Sequence, residues 1–341
     1  MLGLNYRRGL AATLGAISAI LVVTGSAAAQ KYVAKLGHPL PPKTALHTWA
    51  LYLKAGVEKR APGRIEIKIY PVSQLGTIPR MIEGTQLGTI EMITMPPAFF
   101  TGLDRRYSVL AAPGIFDGIA HGQRTVHDPE FKKAFWSIGE AKGLKQIGMS
   151  CDSPSDYATV KPIRTIADFK GRKIRVFGSR FEIETLRRLG GTGVPMPLSE
   201  VVPAIQQKVI DGNRSGIVVF VPFKYQTIAP YVLQAGQSII CITKFASKVW
   251  FDKLPGDLQT IILEEAADAD RRILAFSIAL VDKFYKIWTK TGGTLTRLSP
   301  EEQAEMRRRL STVGEAVLKD RPKVMAVYKI MKAAAERTRN K

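Results

Sequence analysis

Residues 168–179, with the sequence DFKGRKIRVFGS, place a charged side chain inside a predicted strand. The apolar residues on either side of Arg175 predict a short strand. The glycine and Ser179 that follow predict the turn and the N-cap of a helix from Arg180 to Leu189. Arg175 is therefore expected within a strand that leads directly into a helix.

A guanidinium group in such a strand needs a partner. In an α/β protein these strands are covered on both faces, so Arg175 must meet an anion or carry a large desolvation cost. One possible partner is an aspartate or glutamate of the same protein. The other is the carboxylate of a bound ligand, held in bidentate fashion and helped by the nearby helix N-terminus. The segment alone leaves both partners open.

The first 29 residues have the pattern of a secretion signal. Arg7 and Arg8 form a positive n-region, and Leu10 to Val23 is an uncharged apolar run. Ser26 to Ala29 then offers small residues for cleavage. The run is too short and wrongly flanked for a permanent membrane span. An uncleaved anchor and a twin-arginine export route stay open as alternatives. We expect the rest of the chain to be periplasmic.

The chain is strongly basic, with 50 lysine and arginine residues against 29 aspartate and glutamate residues and a formal charge of +21. A surplus of this size attracts anions and anionic membrane surfaces. The basic residues are scattered and form no dense run interleaved with aromatic residues, which argues against nucleic acid as a partner. A generally basic surface and a tuned attraction for acidic solutes both stay open.

Two cysteines, Cys151 and Cys241, bear on the redox state of an exported protein. They could pair in an oxidising compartment, but nothing in their spacing requires a disulfide. We therefore expect two separately buried thiols in preference to a bond.

Strands and helices alternate between Val33 and Met95, which indicates an α/β layer structure with a largely parallel sheet. Strict apolar alternation from Ile65 to Tyr70 predicts a half-covered strand. Phe99 and Phe100 follow the strand expected at Ile90 to Met95, at the edge where such sheets bind ligands. Both rings could line a pocket, although core packing is the favoured role for at least one of them.

The chain is expected to pass twice between two lobes. The first passage is placed at Tyr157 to Val160 and the return at Ser238 to Thr243, while the apolar, β-rich run Gly216 to Val221 predicts a further strand. One long amphipathic helix from Pro255 to about Thr289 could brace both lobes. The expected domains are a signal peptide over residues 1–29, lobe I over 30–150 with parts of 244–341, lobe II over 151–243, and the bridging and C-terminal helices over 255–341.

No catalytic or metal-binding pattern stands out in the sequence. The four histidines lack ligand spacing, and there is no G-x-S-x-G elbow. Gly190 to Gly193 lack both the dinucleotide fingerprint and a Walker lysine, so a simple turn is expected there. An acid–base pair assembled from distant positions stays open. We predict no enzymatic activity, no metal and no cofactor.

Five segments of the sequence together match a family pattern: Gly63–Gly76, Lys170–Val176, Val194–Val201, Val209–Gly212 and Val249–Pro255 with Gln259. They resemble the extracytoplasmic solute receptors of tripartite ATP-independent periplasmic (TRAP) transporters, whose order they keep over nearly the whole mature chain. The resemblance implies two α/β lobes, joined by crossing strands and a long helix, that close over a ligand and pass it to an ion-driven, two-component permease. In that family the arginine that matches Arg175 holds the carboxylate of an organic acid.

The chain departs from the family pattern in its second half. Relatives commonly have Asp-Gly-Gln-Glu-Asn-Pro where this chain has Asp211 to Gly216, so an acidic position is Arg214 and a ligand-facing asparagine is Ser215. The usual aromatic residue after the Pro-x-Pro turn is Leu198. Many relatives also carry a second arginine where Pro154 to Asp156 stand here. The carboxylate clamp is kept, while the rest of the pocket differs.

We expect an exported, monomeric TRAP solute receptor that binds a small organic acid and delivers it to the membrane subunits of a permease. Arg214 either supplies a second positive charge or faces solvent. A receptor for a membrane sensor kinase and a periplasmic enzyme acting on a small acid are the alternatives. The expected ligand-binding residues are Arg175, Asn213, Arg214, Ser215, Phe99, Phe100 and Leu198.

Overall fold

Residues 31–340 are described by the structure, a computed structural model, so the predicted signal over residues 1–29 lies outside the described residues. Within that range no helix is both long and apolar enough to cross a membrane. The strands are β1 Tyr32–Gly37, β2 Ile65–Tyr70, β3 Met92–Met95, β4 Leu144–Pro154, β5 Asp156–Thr159, β6 Lys173–Val176, β7 Thr192–Pro195, β8 Gly212–Ser215, β9 Tyr231–Leu233, β10 Ile239–Ser247 and β11 Thr294–Thr296. The α-helices are α1 Ala45–Arg60, α2 Ile78–Leu87, α3 Ile119–Val126, α4 Pro129–Trp136, α5 Arg180–Leu189, α6 Leu198–Gln206, α7 Ile217–Phe220, α8 Lys248–Phe251, α9 Gly256–Lys290, α10 Pro300–Leu310, α11 Val313–Leu318 and α12 Pro322–Thr338.

The first sheet has five strands in the order β2-β1-β3-β10-β4. β1 is parallel to β2 and β3, whereas β10 is antiparallel to both β3 and β4. Helix α1 packs its buried face, which includes Trp49 and Leu53, into the apolar core of this sheet. The parallel half follows the predicted α/β alternation, and the antiparallel half is made by strands that connect to the second sheet.

The second sheet has six strands in the order β11-β9-β5-β8-β6-β7. β6 is parallel to its neighbours β7 and β8, and it places Arg175 beside Asn213 of β8. Helix α5 follows β6 with the predicted bounds. Ser179 and Glu182 form a reciprocal capping box at its N-terminus, which satisfies backbone donors that the first turn leaves free.

Three connections run between the two sheets: two short crossing segments, and the long helix α9 that lies between β10 and β11. β4 ends at Pro154 in the first sheet and β5 begins at Asp156 in the second, and the return runs from Leu233 of β9 to Ile239 of β10. Helix α9 is 35 residues long and contacts α1 and β4 of the first lobe as well as α7 and β11 of the second. The two-lobed α/β architecture with crossing strands and a long bridging helix is therefore confirmed.

Two local predictions about the second lobe are wrong. The run from Gly216 to Val221 does not form a strand, because strand β8 has already ended at Ser215 and the short helix α7 follows. Every residue of α7 is buried, so the run has no polar face whose spacing could separate a buried strand from a buried helix. Gly190 does end α5 in a left-handed conformation, with φ of 95°, but the residues after it form the edge strand β7.

Cys151 and Cys241 form a disulfide bond, so the expectation of two separate thiols is wrong. The two residues lie directly opposite each other on the antiparallel strands β4 and β10, with a Cα–Cα distance of 3.8 Å. They are 90 positions apart in the sequence, so only the strand register brings them together. The bond joins the two strands close to the ends at which both connect to the second lobe.

Candidate ligand-binding site

A cavity lies between the two lobes and is lined from both. The space between its walls, including the part open to solvent, has a volume of about 410 Å³. The first lobe contributes Pro39, Leu40, Leu46, Ile78, Pro96, Phe99, Asp152, Ser153, Ile240 and Ile242. The second lobe contributes Arg175, Phe177, Leu198, Ser215, Gly216, Val218 and Val219.

Arg175 is fully buried in the second-lobe wall of this cavity. Its Nε donates to the Met196 carbonyl at 2.9 Å, and its Nη1 donates to the Asn213 side-chain oxygen at 3.3 Å. Its Nη2 has no hydrogen-bond partner among residues 31–340, and it forms no ion pair with a described carboxylate. Burial lowers the pKa of Arg175 to about 10, which still leaves the guanidinium charged at neutral pH.

Two aromatic rings flank the guanidinium group of Arg175. Its central carbon lies 4.8 Å from the ring centre of Phe177 and 5.7 Å from that of Phe99. These distances suit cation–π contact, which partly offsets the loss of water around the charge. Phe99 thus lines the cavity as predicted, whereas Phe100 is fully buried against Tyr107 and Phe245 and does not.

Asn213 lies behind Arg175 and does not line the cavity. Its amide oxygen accepts from Arg175, and its amide nitrogen donates to the Tyr225 hydroxyl at 3.0 Å. This chain of hydrogen bonds fixes the orientation of the guanidinium from the side away from the cavity. Ser215, two residues further along β8 and therefore on the same face, lines the cavity, as does Leu198.

Arg214 points to the opposite face of β8 from Asn213 and Ser215. It is buried in an ion pair with Glu182, and its Nη2 donates to the Ser238 hydroxyl at 2.6 Å. The prediction that Arg214 shares a polar wall with its two neighbours is wrong, and so is the alternative that it faces solvent. A strand alternates its side chains, so adjacent residues could not have lined the same wall.

Glu182 connects this ion pair to the turn after β6. Its second carboxylate oxygen accepts from the backbone nitrogens of Phe177, Gly178 and Ser179, at 3.1, 3.2 and 3.2 Å. The turn that carries the Phe177 ring is thereby fixed against the start of α5. Arg214 and Glu182 also line a smaller cavity that adjoins the main one at Phe177.

Asp152 is the acidic residue in the cavity wall, and the sequence argument missed it. Burial raises its pKa to about 7, although the ammonium group of Lys244 opposes part of that shift. Its only described hydrogen bond comes from the Ser277 hydroxyl of α9 at 3.5 Å. A polar run in a strand that otherwise reads as buried, from Ser150 to Asp156, was the available signal for this wall.

The other missed residues are apolar and come from both lobes. Ile240 and Ile242 lie on β10, Val218 and Val219 on α7, and Leu40 follows β1. Their types are those of ordinary core residues, so nothing local marks them as cavity-lining. Among the described residues, no three or more His, Cys, Asp or Glu side chains are grouped so that they could hold a metal ion.

The fold and the cavity define a class of protein: a two-lobed binding protein whose interlobe cavity holds a buried, unpaired cation. The family model described as bacterial extracellular solute-binding protein, family 7, matches residues 36–320. Because the match covers most of the sequence, the chain belongs to this family. The resemblance to TRAP solute receptors is confirmed.

Several proteins that are similar to this chain are described by the ligand that they bind. The chain is 27% identical over 256 residues to the 2,3-diketo-L-gulonate-binding periplasmic protein of Escherichia coli K12, covering 74% of this chain and 77% of that one. It is 26% identical to the C4-dicarboxylate-binding periplasmic protein of Rhodobacter capsulatus, with 77% and 79% covered. A TRAP periplasmic solute-binding protein from Desulfovibrio salexigens, solved with bound orotic acid, superposes with a TM-score of 0.85 at 25% identity, covering 90% and 99%.

Members of this family are periplasmic, substrate-binding components of transport systems. They bind small organic acids and work with membrane permease components. None of the three relatives named above is described as a partner of a sensor kinase or as an enzyme.

Proposed function

We propose that this chain captures a small organic acid in the interlobe cavity, with Arg175 holding its carboxylate, and delivers it to a TRAP permease. The observation that carries this proposal is the guanidinium of Arg175, which is fully buried at a cavity, with Nη2 unpartnered. A ligand carboxylate would supply the missing anion and a strong, charge-assisted hydrogen bond. The ligands named for the three relatives are all carboxylic acids.

Capture works by lobe closure. Arg175, Phe177 and Ser215 come from the second lobe, whereas Phe99 and Asp152 come from the first. A ligand that touches both sets stabilises the closed arrangement more than the open one, and this difference in affinity is what shifts the population. The crossing segments between the sheets are the natural place for the hinge.

The remaining parts of the proposal concern the whole chain. Residues 1–29 direct export and the mature protein acts in the periplasm as a monomer, without nucleic acid. The lobe boundaries are assigned near those expected from the sequence but at the strand ends. β4 as far as Pro154 and β10 from Ile239 belong to lobe I, and the residues between them belong to lobe II together with β11. The helices of residues 255–341 pack on both lobes. The protein is a binding protein with no catalytic step, so a bound acid leaves it chemically unchanged.

The test is binding measured with and without the guanidinium. Native mass spectrometry of the purified protein identifies any co-purified acid, and a thermal-shift screen of carboxylates finds others, because a ligand specific for the folded state raises the melting temperature. Arg175→Ala should reduce the binding free energy of the tightest-binding acid by about 2–5 kcal/mol, which is the range for truncating one side of a buried charge pair.

A matched control is Lys173→Ala, on the same strand. Lys173 is exposed and does not line the cavity, so this variant removes one positive charge without touching the site. It should bind as the unaltered protein does. If Arg175→Ala and Lys173→Ala bound the acid with equal affinity, Arg175 would not be the carboxylate anchor. If the acid were recovered chemically altered, the proposal that the protein has no catalytic step would be refuted.

A further inference from the structure

We infer that the ligand of this cavity is an acid with a single carboxylate and an apolar body, in contrast to a dicarboxylate or a polyhydroxylated sugar acid. The inference rests on the proposed function, because it takes Arg175 as the carboxylate anchor. It follows from the composition of the cavity wall. Of the seventeen lining residues, twelve have apolar side chains, and the polar ones are Asp152, Ser153, Arg175 and Ser215.

The charges in the wall allow one carboxylate and oppose a second. Arg175 is the single cation among the lining residues that the structure describes, and Asp152 is the single anion. A second ligand carboxylate would lie against apolar side chains or near Asp152. Both positions are costly, since a buried anion without a partner is strongly disfavoured and like charges repel.

The two other cations near the cavity are not available to a second carboxylate. Arg214 is paired with Glu182 on the other face of β8. Lys244 is fully buried, with its Nζ 2.7 Å from an oxygen of Asp270. Each of these cations already has its own anion, so recruiting one would leave a buried aspartate or glutamate unpaired.

The wall also offers few partners to a chain of hydroxyl groups. Ser153 has a buried hydroxyl oxygen with no described hydrogen-bond partner, and Ser215 lies across from it in the second-lobe wall. A sugar acid brings several hydroxyls, and each one buried without a partner loses its hydrogen bonds to water. The side chains of Leu46, Ile240 and Ile242 instead remove apolar ligand surface from water, which favours binding.

Three acids with the same number of carbon atoms test the inference directly: hexanoate, adipate and gluconate. The measurement is isothermal titration calorimetry at about pH 8, above the pKa of Asp152 of about 7. Hexanoate should bind at least about 100-fold more tightly than adipate, and at least about tenfold more tightly than gluconate. Tighter binding of adipate or gluconate than of hexanoate overturns the inference, and so does failure of hexanoate to bind.

Two variants show that the wall is responsible. Asp152→Asn removes the anion and should reduce the preference for hexanoate over adipate about tenfold. Val218→Thr places a hydroxyl in the wall at nearly constant shape and should weaken hexanoate by about tenfold. Val209→Thr is its matched control, because Val209 is an exposed residue outside the cavity. Unchanged preferences in both wall variants would contradict the argument.

Failure of the inference and failure of the proposed function give different results. If adipate or gluconate binds better and Arg175→Ala abolishes that binding, the anchor stands and only the ligand class is wrong. If no acid in the panel binds and no co-purified acid is found by native mass spectrometry, both are wrong. Hexanoate binding that survives Arg175→Ala contradicts the anchor and, with it, the inference.

Discussion

Arg175 in the second lobe and Lys244 in the first are both fully buried cations, but their surroundings differ. The Nζ of Lys244 lies 2.7 Å from an oxygen of Asp270 and 2.5 Å from the Ser150 hydroxyl, and it sits over the ring of Trp49. Arg175 has neutral partners and two aromatic rings, with one Nη unpartnered. The first cation is neutralised within the protein, and the second faces a cavity.

The difference separates structure from function. A buried cation that has its own carboxylate connects elements of the fold, as Lys244 connects β10 to the Asp270 position of α9. A buried cation without one costs stability, and arginine cannot escape that cost by losing its proton at neutral pH. Under the proposed function, the carboxylate of the ligand offsets that cost at Arg175. The Arg214–Glu182 pair shows that the second lobe also contains a buried cation that has its own carboxylate.

The largest expected effect comes from converting the neutralised cation into an unpaired one. Asp270→Asn keeps the shape of the side chain and removes the charge that faces Lys244. Because the lysine is then buried without an anion, the free energy of unfolding should fall by about 3–5 kcal/mol in urea denaturation. Asp268→Asn, on the same helix but in exposed ion pairs with Arg271 and Arg272, is the control and should change it by at most about 1 kcal/mol. Similar losses in both variants would refute the distinction.

The opposite change removes the unpaired cation. Arg175→Met keeps much of the side-chain volume and eliminates the buried charge, so in the absence of ligand the free energy of unfolding should rise by about 1–4 kcal/mol. The same variant should lose carboxylate binding. A protein that is less stable as well as unable to bind would mean that Arg175 is a structural residue, like Lys244. The control is Lys173→Met on the same strand, which should leave both quantities unchanged.

Sequence reasoning worked where local pattern determines structure. Strand β2 and helix α5 have their predicted bounds, because strict alternation and an N-cap serine after a glycine are properties of short segments. The demand of Arg175 for an anion was also evident, because it depends only on a charged residue in a covered strand. That argument required no knowledge of which residues lie around it.

Sequence reasoning failed where the answer depends on which strands become neighbours. The Cys151–Cys241 bond follows from the register of β4 and β10, and the pairing of Arg214 follows from Glu182 lying beside β8. Phe100 and Phe99 are adjacent in the chain, yet one is core and the other lines the cavity. Asp152 stands in a polar run of the sequence, and that run alone does not show that it lies in a buried strand at the site.

The smallest expected effect is a pH dependence of the free energy of unfolding that comes from Asp152, a buried anion in place of the two buried cations compared above. The nearest cation, Lys244, is already committed to Asp270, so burial dominates and raises the pKa of Asp152 from 3.8 to about 7. Between these values the folded protein holds a proton that the unfolded chain has released. The stabilisation from this group is therefore complete below about pH 3.8 and is lost as the pH rises through 7.

Asp152→Asn removes that titration and should flatten the profile. Between pH 5 and 7, the free energy of unfolding of the unaltered protein should fall relative to that of the variant by about 1 kcal/mol per pH unit. Urea denaturation at several pH values measures the difference. Asp268→Asn, which alters an exposed carboxylate of α9, should run parallel to the unaltered protein. If the profile of Asp152→Asn also ran parallel to that of the unaltered protein, Asp152 would be ionised across this pH range. The first lobe would then stabilise the Asp152 carboxylate as completely as it stabilises the Lys244 ammonium group.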